Sequence, residues 1–175
     1  MAYEDAAPAY LEQDMKTVFV KTIANMKAPT VTELTGAEAT DISKWIVSDG
    51  WHPTMKQNFE DDAREGVGTV GKIPGTLAFD NTEIQVLDNI NAGVDAPNVA
   101  VTTLTEGTSG FFVRRRGPGG AGKPFASGDV VSVYRVVIAK KTPVAHAGNA
   151  RQQSLIGFSI APDAEVETAT VASGA

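Results

Sequence analysis

The chain has 175 residues, 42% of them hydrophobic and 21% charged, with no cysteine and a formal net charge of -6. That length suits one domain with a sizeable core, and the composition is globular rather than disordered. The missing cysteine excludes disulfide scaffolds and thiolate metal sites, and the acidic balance argues against sequence-independent nucleic-acid binding, which needs clustered Lys and Arg facing phosphates.

Met1-Ala2-Tyr3-Glu4-Asp5 lacks the basic and apolar regions of a signal peptide, and no apolar run approaches the roughly 20 residues of a membrane span. Residues 1–16 are rich in Ala, Glu, Asp and Pro and read as a mobile arm, with room for a short helical turn over 10–15. Residues 17–23, Thr-Val-Phe-Val-Lys-Thr-Ile, are β-branched and alternating, a strand signal. Residues 29–34 read as a second strand with Pro29 at its entry, 35–40 as a turn, and 41–47 as a third strand punctuated by Ser48-Asp49-Gly50.

Residues 51–72 are long and polar, with glycines at 66, 68 and 71. Two strand-like pieces, 51–58 and 67–72, flank the acidic Glu60-Asp61-Asp62. A structureless loop of this length is unusual in a compact domain unless it functions, so the segment is either a long hairpin or an extended interaction loop. Residues 76–79 and 83–87 follow, and Asp80-Asn81 between them suits a tight hairpin turn. Ile84 and Val86 point one way, Glu83, Gln85 and Leu87 the other. Residues 97–105 form the one expected helix, with Asp95 placed to cap it, Pro97 in its first turn and Gly107 beyond its end.

The last third reads as three strands, within 106–117, 127–138 and 151–160. The second is apolar on both faces, as in a strand covered on both sides. The third alternates, with Ile156, Phe158 and Ile160 on one face. Residues 163–175 are acidic, then small, and read as a flexible tail. The whole is mainly β, with two packed sheets and one helix expected in a single domain over 17–162.

No catalytic constellation stands out. Gly117-Pro118-Gly119-Gly120-Ala121-Gly122-Lys123 fits G-x-x-x-x-G-K, but the next residue is Pro124, which has no hydroxyl for Mg²⁺ and no N–H for phosphate, and a strand rather than a helix follows. The stretch reads as a hairpin connection. Arg114, Arg115, Arg116 and Lys123 make the one basic cluster, and three adjacent strand residues cannot share a face. A solvated or subunit-pairing strand end is the favoured reading, and a phosphate contact the minor one. Glu60, Asp61, Asp62 and Glu65 lack the spacing of a calcium loop. His52 and His146 lie far apart, and neither Ser nor Thr sits in a nucleophile elbow. Trp45 and Trp51 flank a turn and suit core or interface packing. No cofactor or metal site is expected.

The order of six segments resembles the major tail (tail tube) proteins of long-tailed bacteriophages: Pro29-Thr-Val-Thr-Glu-Leu34, Thr40-Asp-Ile-Ser43, Gly50-Trp-His-Pro53, Ile73-Pro-Gly-Thr-Leu77, Leu104 to Arg114, and Gly128 to Tyr134. The resemblance spans roughly residues 17–165. It implies a β-sandwich or half-open barrel with one helix, six copies in a ring, and rings stacked into a hollow tube in the virion. Its partners would be further copies, a tape-measure protein, and terminator and tip proteins. DNA would pass through the lumen without specific binding, past an acidic wall. On that reading Trp51, His52, Asn58, Phe59, Glu60, Asp61, Asp62 and Arg64 are candidates for a subunit-contact loop. Glu60, Asp61, Asp62 and Glu83 are candidates for lumen charge, and Arg114, Arg115, Arg116 and Lys123 for a basic hairpin contact. Two alternatives stay open: another virion β-protein, such as a tail terminator or head-decoration protein, and a carbohydrate-binding β-sandwich, which would need exposed aromatics on one sheet face.

Overall fold

The computed structural model describes residues 14–91, 97–145, 148 and 151–174. Its elements, in order, are β1 (Met15–Val20), α1 (Val31–Thr35), β2 (Ala39–Asp41), β3 (Ile46–Trp51), β4 (Thr54–Asp62), β5 (Gly71–Asp80) and β6 (Glu83–Leu87). Then come α2 (Val99–Thr103), β7 (Ser109–Arg116), a single 3-10 turn (Gly120–Gly122), β8 (Val130–Pro143), β9 (Gln153–Ile160) and β10 (Glu165–Thr170). The large sheet runs β2-β1-β7-β8-β9-β6-β3, with β10 also on β8, while among the described residues β4 and β5 pair only with each other. All these strand pairings are antiparallel. The protein is thus mainly β and sandwich-like, with two antiparallel sheets and no closed barrel.

β8 is the spine. Its first half pairs with β10 and its second half with β9 along one edge, while β7 lies along the other. The sheet also curls. Trp51 on β3 lies four strands from β7 in the sheet order, which in a flat sheet means roughly 19 Å. Its ring centroid is instead 5.6 Å from that of Phe112 and 5.9 Å from that of Phe158. Phe112 in turn meets Phe158 edge-on at 5.0 Å and Phe19 at 5.4 Å. Edge-to-face rings add to the apolar burial that draws the two halves together. Gly110 makes room for this: a Cβ there would lie 2.5 Å from the Phe19 ring and 2.8 Å from the Val20 carbonyl oxygen.

Strand alternation produces two cores. Phe19, Phe112, Tyr134, Val136, Ile84, Val86, Ile156 and Phe158 fill the concave side. Val18, Val20, Val113, Val131 and Val133 point the other way, onto Leu34, Phe125, Ala169 and Val171. β1, β7 and the first half of β8 are therefore buried on both faces, whereas farther along β8 Arg135 and Val137 are exposed.

Several elements depart from expectation. β1 begins at Met15, inside the expected arm, and ends at Val20; residues 1–13 lie outside the described residues. Residues 31–35 are helical, not a strand, because Thr30-x-x-Glu33 is a capping box. The Thr30 hydroxyl accepts from the Glu33 N–H at 3.2 Å, and the Glu33 carboxylate accepts from the Thr30 N–H at 2.7 Å. There are accordingly two five-residue helices among the described residues, not one. The expected strand over 41–47 is interrupted: Asp41 ends β2, residues 42–45 turn around the fully buried Ile42, and Ile46 begins β3, to which Ser48-Asp49-Gly50 belongs as an irregularity with Asp49 at φ 59. Asp80-Asn81 is no hairpin turn, since β5 and β6 pair with different strands. α2 is shorter than expected and preceded by Asn98; Asp95 lies outside the described residues. Residues 163–174, expected as a tail, contain β10 and the buried Ala169 and Val171. The Ala172 carbonyl there accepts from the Val31 N–H at 3.1 Å. No helix among the described residues is long and apolar enough to cross a membrane.

Candidate assembly surface: a projecting amphipathic hairpin

β3 runs on through His52 and Pro53 into β4, and β5 returns through Asn81 and Thr82 into β6. β3 pairs with β6 and β4 with β5, so residues 46–87 form one long ribbon. The His52 N–H bonds the Glu83 carbonyl at 3.2 Å and carries the ladder across the junction. The ribbon is rooted in the body: Phe79 meets Tyr134 at 6.1 Å, and Trp51 lies against Phe112, Tyr134 and Phe158. Beyond that root it stands alone. Eight of the nine residues of β4 are exposed.

Register sorts the hairpin's side chains, because cross-strand partners share a face. Met55 with Phe79, Gln57 with Leu77, and past the irregularity Phe59 with Pro74 and Asp61 with Lys72 line one face. Thr54 with Asp80, Lys56 with Ala78, and Glu60 with Ile73 line the other, as do Asn58, Thr76 and Asp62. One face is therefore largely apolar and continues outward from Phe79; the other is largely polar. Met55 is 49% exposed, Phe59 56% and Leu77 61%. The long-hairpin reading of 51–72 is what the chain adopts, but the acidic residues are part of β4 rather than of a loop. Their side chains alternate, so Glu60, Asp61 and Asp62 do not converge on one point. Asp61 is paired with Lys72 at 2.5 Å and Asp62 with Arg64 at 2.8 Å. Glu83 sits at the root, roughly 25 Å along the ribbon from Glu60 at about 3.3 Å per residue, so the four acidic candidates do not form one cluster.

The basic triplet splits as alternation demands. Arg114 stacks over Trp51 at 4.6 Å. Arg116 is exposed and paired with Glu167 at 2.5 Å. Arg115 faces the other core and is buried, which removes it from the contact candidates. Its guanidinium donates to the carbonyls of Gly120, Lys123 and Pro124 and, at 2.8 Å, to Asp129. It thereby pins the glycine-rich connection, the P-loop look-alike, into a fixed turn with Lys123 at the surface. Burial pushes the Asp129 carboxyl up, but the Ala126 N–H and the Arg115 guanidinium outweigh it and the net shift is down.

At the far end of the ribbon, beyond Leu87, Asp88 is buried and holds three elements together. It accepts from Lys141 and Ser154 at 2.7 Å and from Asn98 at 2.8 Å. Burial raises this carboxyl, yet Lys141, Ser154 and Asn98 bring the net shift below the ordinary 3.8. Over it opens a cavity of about 330 Å³, walled by Ile90, Pro143, Val144 and Ala145 with Arg151 at its side.

The model of the family described as phage tail tube protein matches residues 11–173. The chain belongs to that family. No curated protein matches it. Among solved structures, a chain of the 6-fold symmetrised cryo-EM structure of the anti-feeding prophage baseplate is similar at a TM-score of 0.54 and 8% identity, covering 91% of this chain and 96% of that one. A type six secretion system protein is similar at a TM-score of 0.39 and 11% identity, over 83% and 79%. At such identities the first likeness speaks to fold alone.

In a tail tube protein, a structural component of a phage tail, the relevant chemistry is surface complementarity rather than catalysis. The exposed ion pairs of the hairpin contribute little, about 0–1 kcal/mol each. Its exposed apolar side chains are the larger reservoir, about 1.5–3 kcal/mol for each one fully buried. Sequence reasoning singles out Phe59 but misses Met55, Pro74 and Leu77, whose common face with it depends on the strand register.

Proposed function

We propose that this chain self-assembles into rings of six that stack into the hollow tail tube, the conduit for DNA at ejection. A tape-measure protein would set its length, terminator and tip proteins would close its ends, and assembly would follow synthesis in the host cytoplasm. The observation that carries the reading is the β4–β5 hairpin. Six of the nine exposed large hydrophobic residues found among the described residues lie between Met55 and Leu77. A lone two-stranded hairpin is marginal in water, and an apolar face of this kind marks an interaction site. Sheet edges support the ring: β2 and β3 end the large sheet, and an open edge is a template for a neighbour's strand. Family membership supports the tube, and the 6-fold symmetry of the similar baseplate structure supports the ring number. Glu60 and Asp62 on the wet hairpin face, with Glu83 at its root, are the carboxylates suited to an acidic, DNA-repelling wall.

Electron microscopy of the purified chain tests this. Hollow filaments with six-fold end views are expected, and rings that never stack would point instead to a terminator. Replacing residues 58–76 by a two-residue turn should leave a folded, soluble protein that no longer forms tubes. In assembled particles, Glu83→Lys should slow DNA ejection, most at low salt where screening is weakest.

A further inference from the structure

We propose that Lys141 and Asn98 join in an intramolecular isopeptide bond, formed by the folded chain itself with Asp88 as the proton carrier and ammonia as the leaving group. The inference is independent of tube formation and concerns the body rather than the hairpin.

The three side chains come from three elements, and a local feature delivers each. Asp88 follows β6 and is buried, and its own N–H bonds the Gln152 carbonyl at 3.0 Å. Asn98 precedes α2 but makes no side-chain capping bond to it, and its amide turns to Asp88 instead. Lys141 lies past a register shift in β8. Ile138 pairs with Phe158 and Lys141 with Ile156, so three steps along β8 match two along β9. The extra residue turns Lys141 to the side of the buried Ile156 and leaves Lys140 exposed.

Asp88 bridges nucleophile and electrophile. Its Oδ2 accepts from Lys141 Nζ and from the Ser154 hydroxyl, each at 2.7 Å, and its Oδ1 accepts from Asn98 Nδ2 at 2.8 Å. Amine and amide therefore sit on the two oxygens of one carboxylate. Asn98 Oδ1 in turn accepts from the Asn89 N–H at 3.3 Å. That donor lies where negative charge gathers when the amide carbon is attacked. A structural ion pair needs only Lys141 and Asp88. The primary amide on the same carboxylate completes the set for amide exchange.

Burial raises the Asp88 carboxyl, but Lys141, Ser154 and Asn98 bring it below its ordinary value, so the resting state is the ion pair. The reaction starts from the less populated neutral pair, which a buried setting favours. A proton passes from Nζ to Asp88 and frees the Nζ lone pair. That pair attacks Asn98 Cγ, and the carbonyl π electrons move onto Oδ1. Asp88 hands its proton to Nδ2 and takes another from Nζ. The Cγ–Nδ2 bond breaks with its electrons on nitrogen. The released ammonia takes the last proton from Asp88 and departs as ammonium, which restores the carboxylate. One C–N bond forms and one breaks, nothing is oxidised or reduced, and no co-reactant is consumed. The cavity of about 330 Å³ beside Asp88 and Lys141 gives the amine room to swing to Cγ and ammonia a way out. The product ties the start of α2 to the end of β8 and, like any cross-link, narrows the unfolded ensemble.

The intact mass of the purified full chain, incubated until that mass is constant, tests this. The expected mass is short of the sequence by one ammonia, with a branched tryptic peptide joining residues 73–114 to the segment that carries Lys141. Lys141→Arg keeps the positive charge beside Asp88 but offers no amine nucleophile, and should restore the full mass in a protein that still folds. Asn98→Ala should restore it as well. A wild-type mass equal to the sequence, with no branched peptide, overturns the proposal. A deficit that survives Lys141→Arg marks succinimide formation at an asparagine and overturns it too. A branch from Asp88 with loss of water would make Asp88 the electrophile and overturn the assignment of Asn98.

Discussion

Phe112 and Phe59 both sit midway along antiparallel strands, yet one is fully buried and the other is 56% exposed. The body and the hairpin use the same local rule: alternating side chains, cross-strand partners on one face, antiparallel ladders. What differs is the second layer. In the body the sheet curls over Phe112 and brings Trp51, Phe19 and Phe158 to its ring. In the hairpin no other element of the described chain reaches the apolar face beyond Phe79. A strand pair that keeps an apolar face with nothing over it is half of a core, and in a family of tube-forming proteins a second copy is the natural other half.

The sharpest way to break this comparison is to truncate both rings. Phe112→Ala should cost about 3–5 kcal/mol in denaturant unfolding, because transfer and cavity losses add in a closed core. Phe59→Ala should shift the monomer by no more than about 0.5 kcal/mol, as at an ordinary surface site. A large loss at Phe59 would mean that the hairpin is part of the folding core.

The arginines extend the contrast. Arg115→Ala removes the buried guanidinium that serves Asp129 and three carbonyl groups, and should cost about 3 kcal/mol by the same measurement. Arg116→Ala removes only the exposed pair with Glu167 and should cost less than about 1 kcal/mol. Equal effects would refute the assignment of Arg115 to the buried side.

Acid should weaken the body through its paired carboxylates. The folded-state pKa of Asp88 is below its ordinary 3.8, so the unfolded chain takes up that proton at higher pH than the native one. The stability it contributes is complete above the ordinary value and is lost as pH falls through the folded one. Asp41 and Asp129 act in the same direction. Asp88→Asn should therefore flatten the acid limb of a stability-against-pH curve below about pH 4. An unchanged limb would show that the Lys141–Asp88–Ser154 network does not couple to folding.

The smallest effect belongs to the tip. Lys72→Ala breaks an exposed pair with Asp61 and should change monomer stability by less than about 0.5 kcal/mol. A larger loss would indicate that the tip is more ordered than an isolated ribbon should be.

Much of the body is legible in the chain itself. β7, β8 and β9 fall where alternation and turn residues place them, and Ile84 and Val86 face inward as their spacing says. α1 is legible too, since Thr30-x-x-Glu33 is a local signature, but β-branched Val31 and Thr32 argue the other way and mask it. β10 is not: Glu165-Val-Glu-Thr-Ala-Thr170 looks like solvent-exposed chain until β8 offers an edge.

Local sequence determined which residues alternate, where β7, β8 and β9 lie, and that Arg114, Arg115 and Arg116 could not share a face. Those properties depend on neighbours one to four positions away. Tertiary structure alone decided that β5 and β6 belong to different sheets, that Arg115 is buried while Arg116 is wet, and that Met55, Phe59, Pro74 and Leu77 share an uncovered face. These depend on strand pairing and sheet curl, whose partners lie up to about a hundred residues apart, as β1 and β7 do. No local pattern encodes which distant edge a strand will meet.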